Sequence, residues 1–333
     1  MTRPHHEAPT DLALWSLHCF CIRARSNPKT VVRMDNNGKV LLRCVGGASR
    51  ESLVSSGIAA NQSQLALLEA YGLVTIEGDV ITTSFPVLGP AQIAEVRDRA
   101  TAAAADVMPE VVSRAETLVG LLAARDLYAS GHAVVFGHAL DGVIWDLLRT
   151  RGALPGVELT IEEPYWRGSF WAVYPGREGS AGTNEINEGS ATLVMVWDDE
   201  TAESLRSMAA EPALPELLGS IEARDESTTL LDLSGDHRPI PIIGTATEDD
   251  LHVASGALAE TVSSAIPDGT GCRLIFEEAG LESSEGDATV IFTHELIWEI
   301  AALLAGSGVV SPPPASDLTS RLFVRMSEPG RIT

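Results

Sequence analysis

The chain has 333 residues, 45% of them hydrophobic, and a formal net charge of -23. That length and apolar share exclude a disordered polymer and a single small core, and predict two domains or one domain with a helical connector. The acidic balance excludes a body that coats nucleic acid or an anionic membrane.

The charge is unevenly placed. Residues 1–50 hold eight Arg or Lys against three acids, whereas residues 51–100 hold two against six. Contact with phosphate is therefore expected only from the N-terminal part. No apolar run reaches the roughly 18 to 20 residues of a membrane helix, and the opening residues lack a signal peptide's apolar stretch and cleavage site. A cytoplasmic protein with no membrane partner is expected. The four cysteines, Cys19, Cys21, Cys44 and Cys272, are too few and too irregular for a disulfide framework. His18, Cys19, Cys21 and Cys44 match no common zinc spacing, so the cysteines read as small core residues.

In chain order, residues 11–26 (DLALWSLHCFCIRARS) predict an amphipathic helix capped by Asp11. Residues 30–45 (TVVRMDNNGKVLLRCV) predict a β-hairpin turning at Asn36, Asn37 and Gly38. From Ser49 to Phe85 the pattern is more specific. Ser49 caps a short helix with Leu53 and Val54 inward, and Gly57 and Ile58 form a turn. A second helix starts near Asn61 with Leu65 and Leu68 on one face, and Gly72 ends it. The segment VTIEGDVITTSF then alternates around Gly78 and Asp79 as a hairpin.

On Glu51, Leu53, Val54, Gly57, Ile58, Leu65, Leu68, Gly72, Leu73, Val74 and the hairpin, this stretch resembles winged helix-turn-helix domains of the MarR and ArsR kind. The resemblance covers about 40 residues, or about 85 with the preceding elements. It implies the fold first. Such modules bind DNA, but they also serve as dimerisation domains in small-molecule O-methyltransferases and as peptide clamps in peptide-modifying systems. Asn61, Gln62 and Gln64 in the first turn of the second helix are the candidates for base or phosphate contact. No Lys or Arg lies between Arg50 and Arg97. Phosphate neutralisation would therefore fall to Arg33, Lys39, Arg43 and Arg50.

Residues 87–130 are Ala-rich with helical periodicity, and Pro109 predicts a break into two connecting helices that could also make a dimer contact. Beyond residue 133 the prediction is helix at 134–150, strands near 157–162, 169–174 and 191–197, and helices at 199–209 and 212–223. Strands at 228–233 and 239–243, helices at 248–266 and 289–305, and a closing strand RLFVRM follow, in no sheet order that the pattern reveals. PDGTGCRL, 267–274, reads as a turn entering a strand, and LESSEGDA, 281–288, as an acidic loop.

Two stretches echo each other, VVFGHALDGVIWDLL at 134–148 and VIFTHELIWEIAALL at 290–304. In each, His and Trp share a helical face. His138, Asp141, His294 and Glu295 could be drawn as a metal or acid-base centre. The HExxH zinc motif is absent, because Trp298 occupies its second His position. The alternative is two core helices, with each His satisfied by a neighbour's backbone. A second candidate is the aromatic run at 165–174 beside a Gly-rich loop. There Trp166, Trp171, Tyr174, Arg177 and Asn184 could line a small-molecule pocket. Neither a phosphate-cradling glycine loop nor GxSxG occurs.

The predicted class is therefore α+β: a winged-helix domain over 1–86, a helical connector over 87–132 and a mixed α+β domain over 133–333. The leading expectation is a DNA-binding transcriptional regulator acting as a homodimer on double-stranded DNA. Its C-terminal domain would sense a small-molecule effector or bind a partner. The alternatives are an adaptor that binds protein or peptide, with a basic protein partner on its acidic body, and an enzyme centred on His138 and His294. No cofactor is expected.

Overall fold

The computed structural model describes residues 15–21, 29–154, 169–212, 214–221, 228–230, 238–244 and 249–326. The chain is of mixed α+β type and divides into two units. The first comprises Met1–Arg99, Gly152–Arg177 and Pro267–Thr293; the second comprises Ala100–Arg151, Glu178–Ile266 and His294–Thr333. Each unit gathers separated stretches, whereas a linear division at residues 86 and 132 would give each domain one.

In the first unit, strand β1 (Trp15–Cys21) pairs antiparallel with β5 (Ser169–Pro175) in a two-stranded ribbon. A helix was expected over 11–26. The alternation of Trp, Leu, Cys and Cys with Ser, His and Phe serves a paired strand equally well, and the partner lies about 150 residues away in sequence. Asp11 and the strand expected at 157–162 fall outside the described residues.

The expected hairpin at 30–45 is instead two helices, α1 (Lys29–Arg33) and α2 (Asn37–Arg43). Positive φ falls on Asp35 (47°), not on the Asn-Asn-Gly triplet, and Gly38 is buried inside α2. Val40, Leu41 and Cys44 are buried together at helical spacing. Strand β2 (Ala48–Ser49), helices α3 (Arg50–Ser55) and α4 (Gln62–Ala70), and strands β3 (Val74–Glu77) and β4 (Val80–Thr83) follow. The strands form a sheet in the order β2-β4-β3. Leu53, Leu65, Leu68, Leu73, Val74 and Ile81 bury one core with α1 and α2. Val54 does not join it as expected; it is 69% exposed. Gly57, Gly72 and Gly78 all have positive φ, at the turns where the sequence required it.

A single helix, α5 (Pro90–Ala123), runs where a break was expected, with Pro109 inside it. Proline costs a helix interior roughly 3 kcal/mol. The surrounding alanines and a buried stripe through Ile93, Val96, Ala100, Ala104, Val111, Ala115, Leu118 and Leu122 offset that cost. PDGTGCRL opens helix α10 (Gly269–Glu278) and not a strand, because the Asp268 carboxylate accepts from Gly271 N–H and caps it. The expected acidic loop ends early, where helix α11 (Glu285–Gly306) begins.

The second unit is built on a five-stranded sheet, which joins β6 (Ala181–Glu188), β7 (Ala191–Asp198), β8 (Thr228–Leu230), β9 (Pro239–Ile243) and β10 (Leu322–Met326). Their order is β6-β7-β10-β9-β8, with β10 antiparallel to β7 and parallel to β9. Strand β6 lies within the stretch expected to be a loop. One face of the sheet carries Leu193, Met195, Ile240, Ile242, Leu322 and Val324. That face packs on α7 (Ala202–Ala209) and α8 (Leu214–Ile221) through Leu205, Leu214 and Leu218.

The opposite face meets a buried helical segment, Ala133–Val143, whose hydrogen bonds close over five residues. Ile144 N–H, for example, donates to the Ala139 carbonyl. It continues as α6 (Ile144–Thr150) and packs on α9 (Asp250–Ser263). An ion pair with a buried arginine locks the end of β7 to the start of β10. Arg321, 2% exposed, donates from Nη1 to Asp198 Oδ2 at 2.8 Å and from Nη2 to the Pro313 carbonyl at 2.6 Å.

At Gly137 the π-helical segment lies close against the sheet. A Cβ there would lie 2.5 Å from Val196 Cγ2 and 3.0 Å from Phe323 Cε1. Gly137→Ala is therefore expected to destabilise the protein by about 1–3 kcal/mol, the usual cost of overpacking. Gly120→Ala, which meets nothing within 4 Å, should be neutral or mildly stabilising. Urea unfolding of the two variants checks this, and equal stabilities would refute the packing.

Candidate functional site

The short helices of the first unit place most of the residues that the sequence assigned to DNA. Ser49 Oγ accepts from Ser52 N–H and starts α3; Asn61 Oδ1 accepts from Gln64 N–H at 2.8 Å and starts α4. With Leu65 and Leu68 buried, α4 turns Gln62, Ser63, Ala66, Glu69 and Ala70 outward. That face holds one carboxylate and no cation.

Three of the seven expected contacts are engaged within the domain. Asn61 is the cap of α4. Gln64 Nε2 donates to Asn36 Oδ1 and Asn37 Oδ1, each at 2.6 Å. Arg43 donates to Ser52 Oγ at 3.0 Å and Ser56 Oγ at 3.1 Å. Arg33, Lys39, Arg50 and Gln62 remain exposed, as do Glu77, Gly78 and Asp79 at the β3–β4 tip.

The expected ligand pocket is not gathered in one unit. Tyr174 is buried in β5, and Arg177 follows it in the first unit; Asn184 is exposed on β6 of the second. Trp166 and the side chain of Trp171 lie outside the described residues. A groove of about 870 Å³ does occur within the second unit, bordered by Asp106, Glu110, Leu147, His252, Ala257 and Glu260. These residues are scattered over three helices, and no motif in the sequence marked them.

The two echoing helices meet where Trp145 faces His294. Trp145 Nε1 donates to Asp141 Oδ1 at 3.1 Å, and its ring lies 4.7 Å from that of His294. His294 lies 5.3 Å from Trp298, whose Nε1 donates to the Ala181 carbonyl at 2.8 Å. Thr183 Oγ1 completes the set by donating to Asp141 Oδ2 at 2.8 Å. His138 belongs elsewhere. Its ring faces His252 at 5.9 Å and Phe323 at 5.7 Å. Neither ring nitrogen has a hydrogen-bond partner among the described residues, which overturns the expectation that a backbone group satisfies it.

Burial, helped by Arg325 and His252, pushes the His138 pKa down to about 3. Burial and Arg321 push His132 down to about 4 against the pull of Asp198. Both imidazoles are neutral at physiological pH. Asp141 is pushed up to about 6, by burial first, although Thr183 and Trp145 stabilise its ionised form; Glu185 adds repulsion.

Among the described residues no group of three or more His, Cys, Asp or Glu is placed to hold a metal, so His138, Asp141, His294 and Glu295 are not assembled as one. Cys44 and Cys272 are buried thiols that burial pushes up to about 11, which makes them poor nucleophiles. Helix α11 does meet the length and hydropathy of a membrane span, contrary to the reading of the sequence, but 72% of that stretch is buried inside the protein. Compared with family models, with curated proteins and with solved structures, the chain finds no match.

The raised Asp141 pKa carries a pH dependence of definite sign. Its folded-state value exceeds the unfolded one, so its stabilising contribution is complete below about pH 4 and is lost as pH rises through about 6. Asp141→Asn should gain stability over the parent between pH 4 and pH 8, by up to about 3 kcal/mol. Chemical unfolding of both proteins at the two pH values measures it. A difference that stays constant with pH would remove Asp141 as the cause.

Proposed function

We propose that residues 29–88 form a winged-helix module and that the protein is a DNA-binding regulator, with its second unit sensing an effector or docking a partner. What carries the reading is the order of elements: two helices, strand, helix, helix and a two-stranded hairpin, with the strands arranged β2-β4-β3. Capped starts at Ser49 and Asn61 and the left-handed Gly57 turn between α3 and α4 add support. Within this reading, Arg50 at the start of α3, together with Arg33 and Lys39, contacts phosphates. Gln62 in the first turn of α4 reaches a base edge.

A second reading has its own support. The outward face of α4 lacks a cation, and the hairpin tip carries Glu77 and Asp79. That composition suits a protein or peptide partner better than a phosphate backbone. On this reading the module is an adaptor or a dimerisation domain.

One experiment separates the two. The purified protein is exposed to fragmented genomic DNA, the retained fragments are sequenced, and binding is measured across salt concentrations. The regulator reading expects an enriched motif and affinity falling steeply with salt. Arg50→Ala should weaken binding to all sequences and reduce the salt slope by about 1. Retention of no DNA even at low salt would leave the adaptor reading.

A further inference from the structure

We propose that Gln64 is a positioning residue: its carboxamide clasps Asn36 and Asn37 and so sets the presentation of Gln62 on α4 to DNA. This rests on the regulator reading above. The clasp has a fixed polarity. Asn36 Nδ2 donates to the Ala59 carbonyl at 2.7 Å, and Asn37 Nδ2 donates to the Val31 carbonyl at 2.6 Å. Both asparagines have therefore committed their donors to backbone, and both turn an oxygen toward α4. Gln64 Nε2 carries two protons, and it supplies one to each oxygen at 2.6 Å.

The bonded groups come from five places. Val31 lies in α1, Asn36 just before α2, Asn37 in α2, Ala59 in the α3–α4 turn, and Gln64 in the first turn of α4. Asn37 is 1% exposed, so its hydrogen bonds have no ready replacement by solvent. Gln64 N–H also donates to Asn61 Oδ1, which joins the clasp to the cap of the helix. The turn and helix that carry the outward residues are thus held to the preceding pair of helices by side chains and not only by the apolar core. Only a neutral carboxamide of this length fits. A glutamate would set acceptors against acceptors, and a methionine would fill the volume with no donor.

The test compares the parent with Gln64→Met, Gln64→Glu and Gln62→Ala, using the motif recovered from genomic DNA and a scrambled duplex. Folding of each variant is checked by circular dichroism and thermal midpoint, and Gln64→Met carries the test if Gln64→Glu does not fold. A positioning role expects the motif-to-scrambled affinity ratio to fall by roughly tenfold in the Gln64 variants, as in Gln62→Ala. The salt slope should stay unchanged, because no phosphate contact is removed. A folded Gln64→Met with the parent's ratio would overturn the positioning role alone, as would a ratio lost together with the salt slope. A parent that enriches no motif would overturn the regulator reading, and the positioning role with it.

Discussion

The second unit depends on a distance. Its buried π-helical segment lies against β7 and β10 so closely that position 137 has room for a hydrogen and nothing larger. Close packing there brings His138 against Phe323 and lets Asp141 reach Thr183 on the neighbouring strand β6. Winding over five residues widens the turn and changes which side chains share a face. His138 and Trp145, seven apart, would be stacked on an ordinary helix. Here they diverge, His138 toward α9 and Trp145 toward α11. The repeated His-Trp pattern thus leads to two environments, a buried His138 beside His252 and a hydrogen-bonded aromatic ladder.

What could be read in advance follows from how local the cause is. Ser49, Asn61, Gly57, Gly72 and Gly78 act through their immediate neighbours, and each stands where the sequence placed it. The helices α7, α8, α9 and α11 and the strands β7 and β9 were legible from their apolar periodicity alone. Errors arose where a distant partner decides. The 15–21 segment is a strand because distant β5 pairs with it; 181–188, by contrast, is a strand through the adjacent β7, despite Gly182. Residues 30–45 alternate well enough for a hairpin, yet the same valines and leucines also satisfy a helical spacing, and burial against α4 and β4 selects that one. Sheet order was beyond reach, because the central strand β10 comes last in the sequence.

The candidate interface shows a related limit. Asn and Gln near a helix start read equally well as surface contacts or as caps and clasps, since a carboxamide both donates and accepts. Sequence alone cannot assign the direction of those bonds. In the fold, Asn36, Asn37, Asn61 and Gln64 are bound to one another or to nearby backbone, and the outward chemistry reduces to Gln62, small residues and one carboxylate on α4, exposed cations on α1, α2 and α3, and Glu77 and Asp79 at the hairpin tip. The imbalance between a basic start and an acidic body survives as a property of the chain. Its meaning for a partner is set by only a few exposed groups.

The place of β10 has a consequence for how the chain is made. This strand occupies the middle of the five-stranded sheet, between β7 and β9, yet it leaves the ribosome after the other four strands of that sheet. Until residues 322–326 emerge, the sheet stays open along two edges, and the faces meant for α7, α8 and the π-helical segment have no complete floor. Helix α11, apolar enough to pass for a bilayer span, is synthesised just ahead of it. A nascent chain therefore carries this apolar helix and two unpaired strand edges together until β10 is out. This is the interval in which a holding chaperone would find its target.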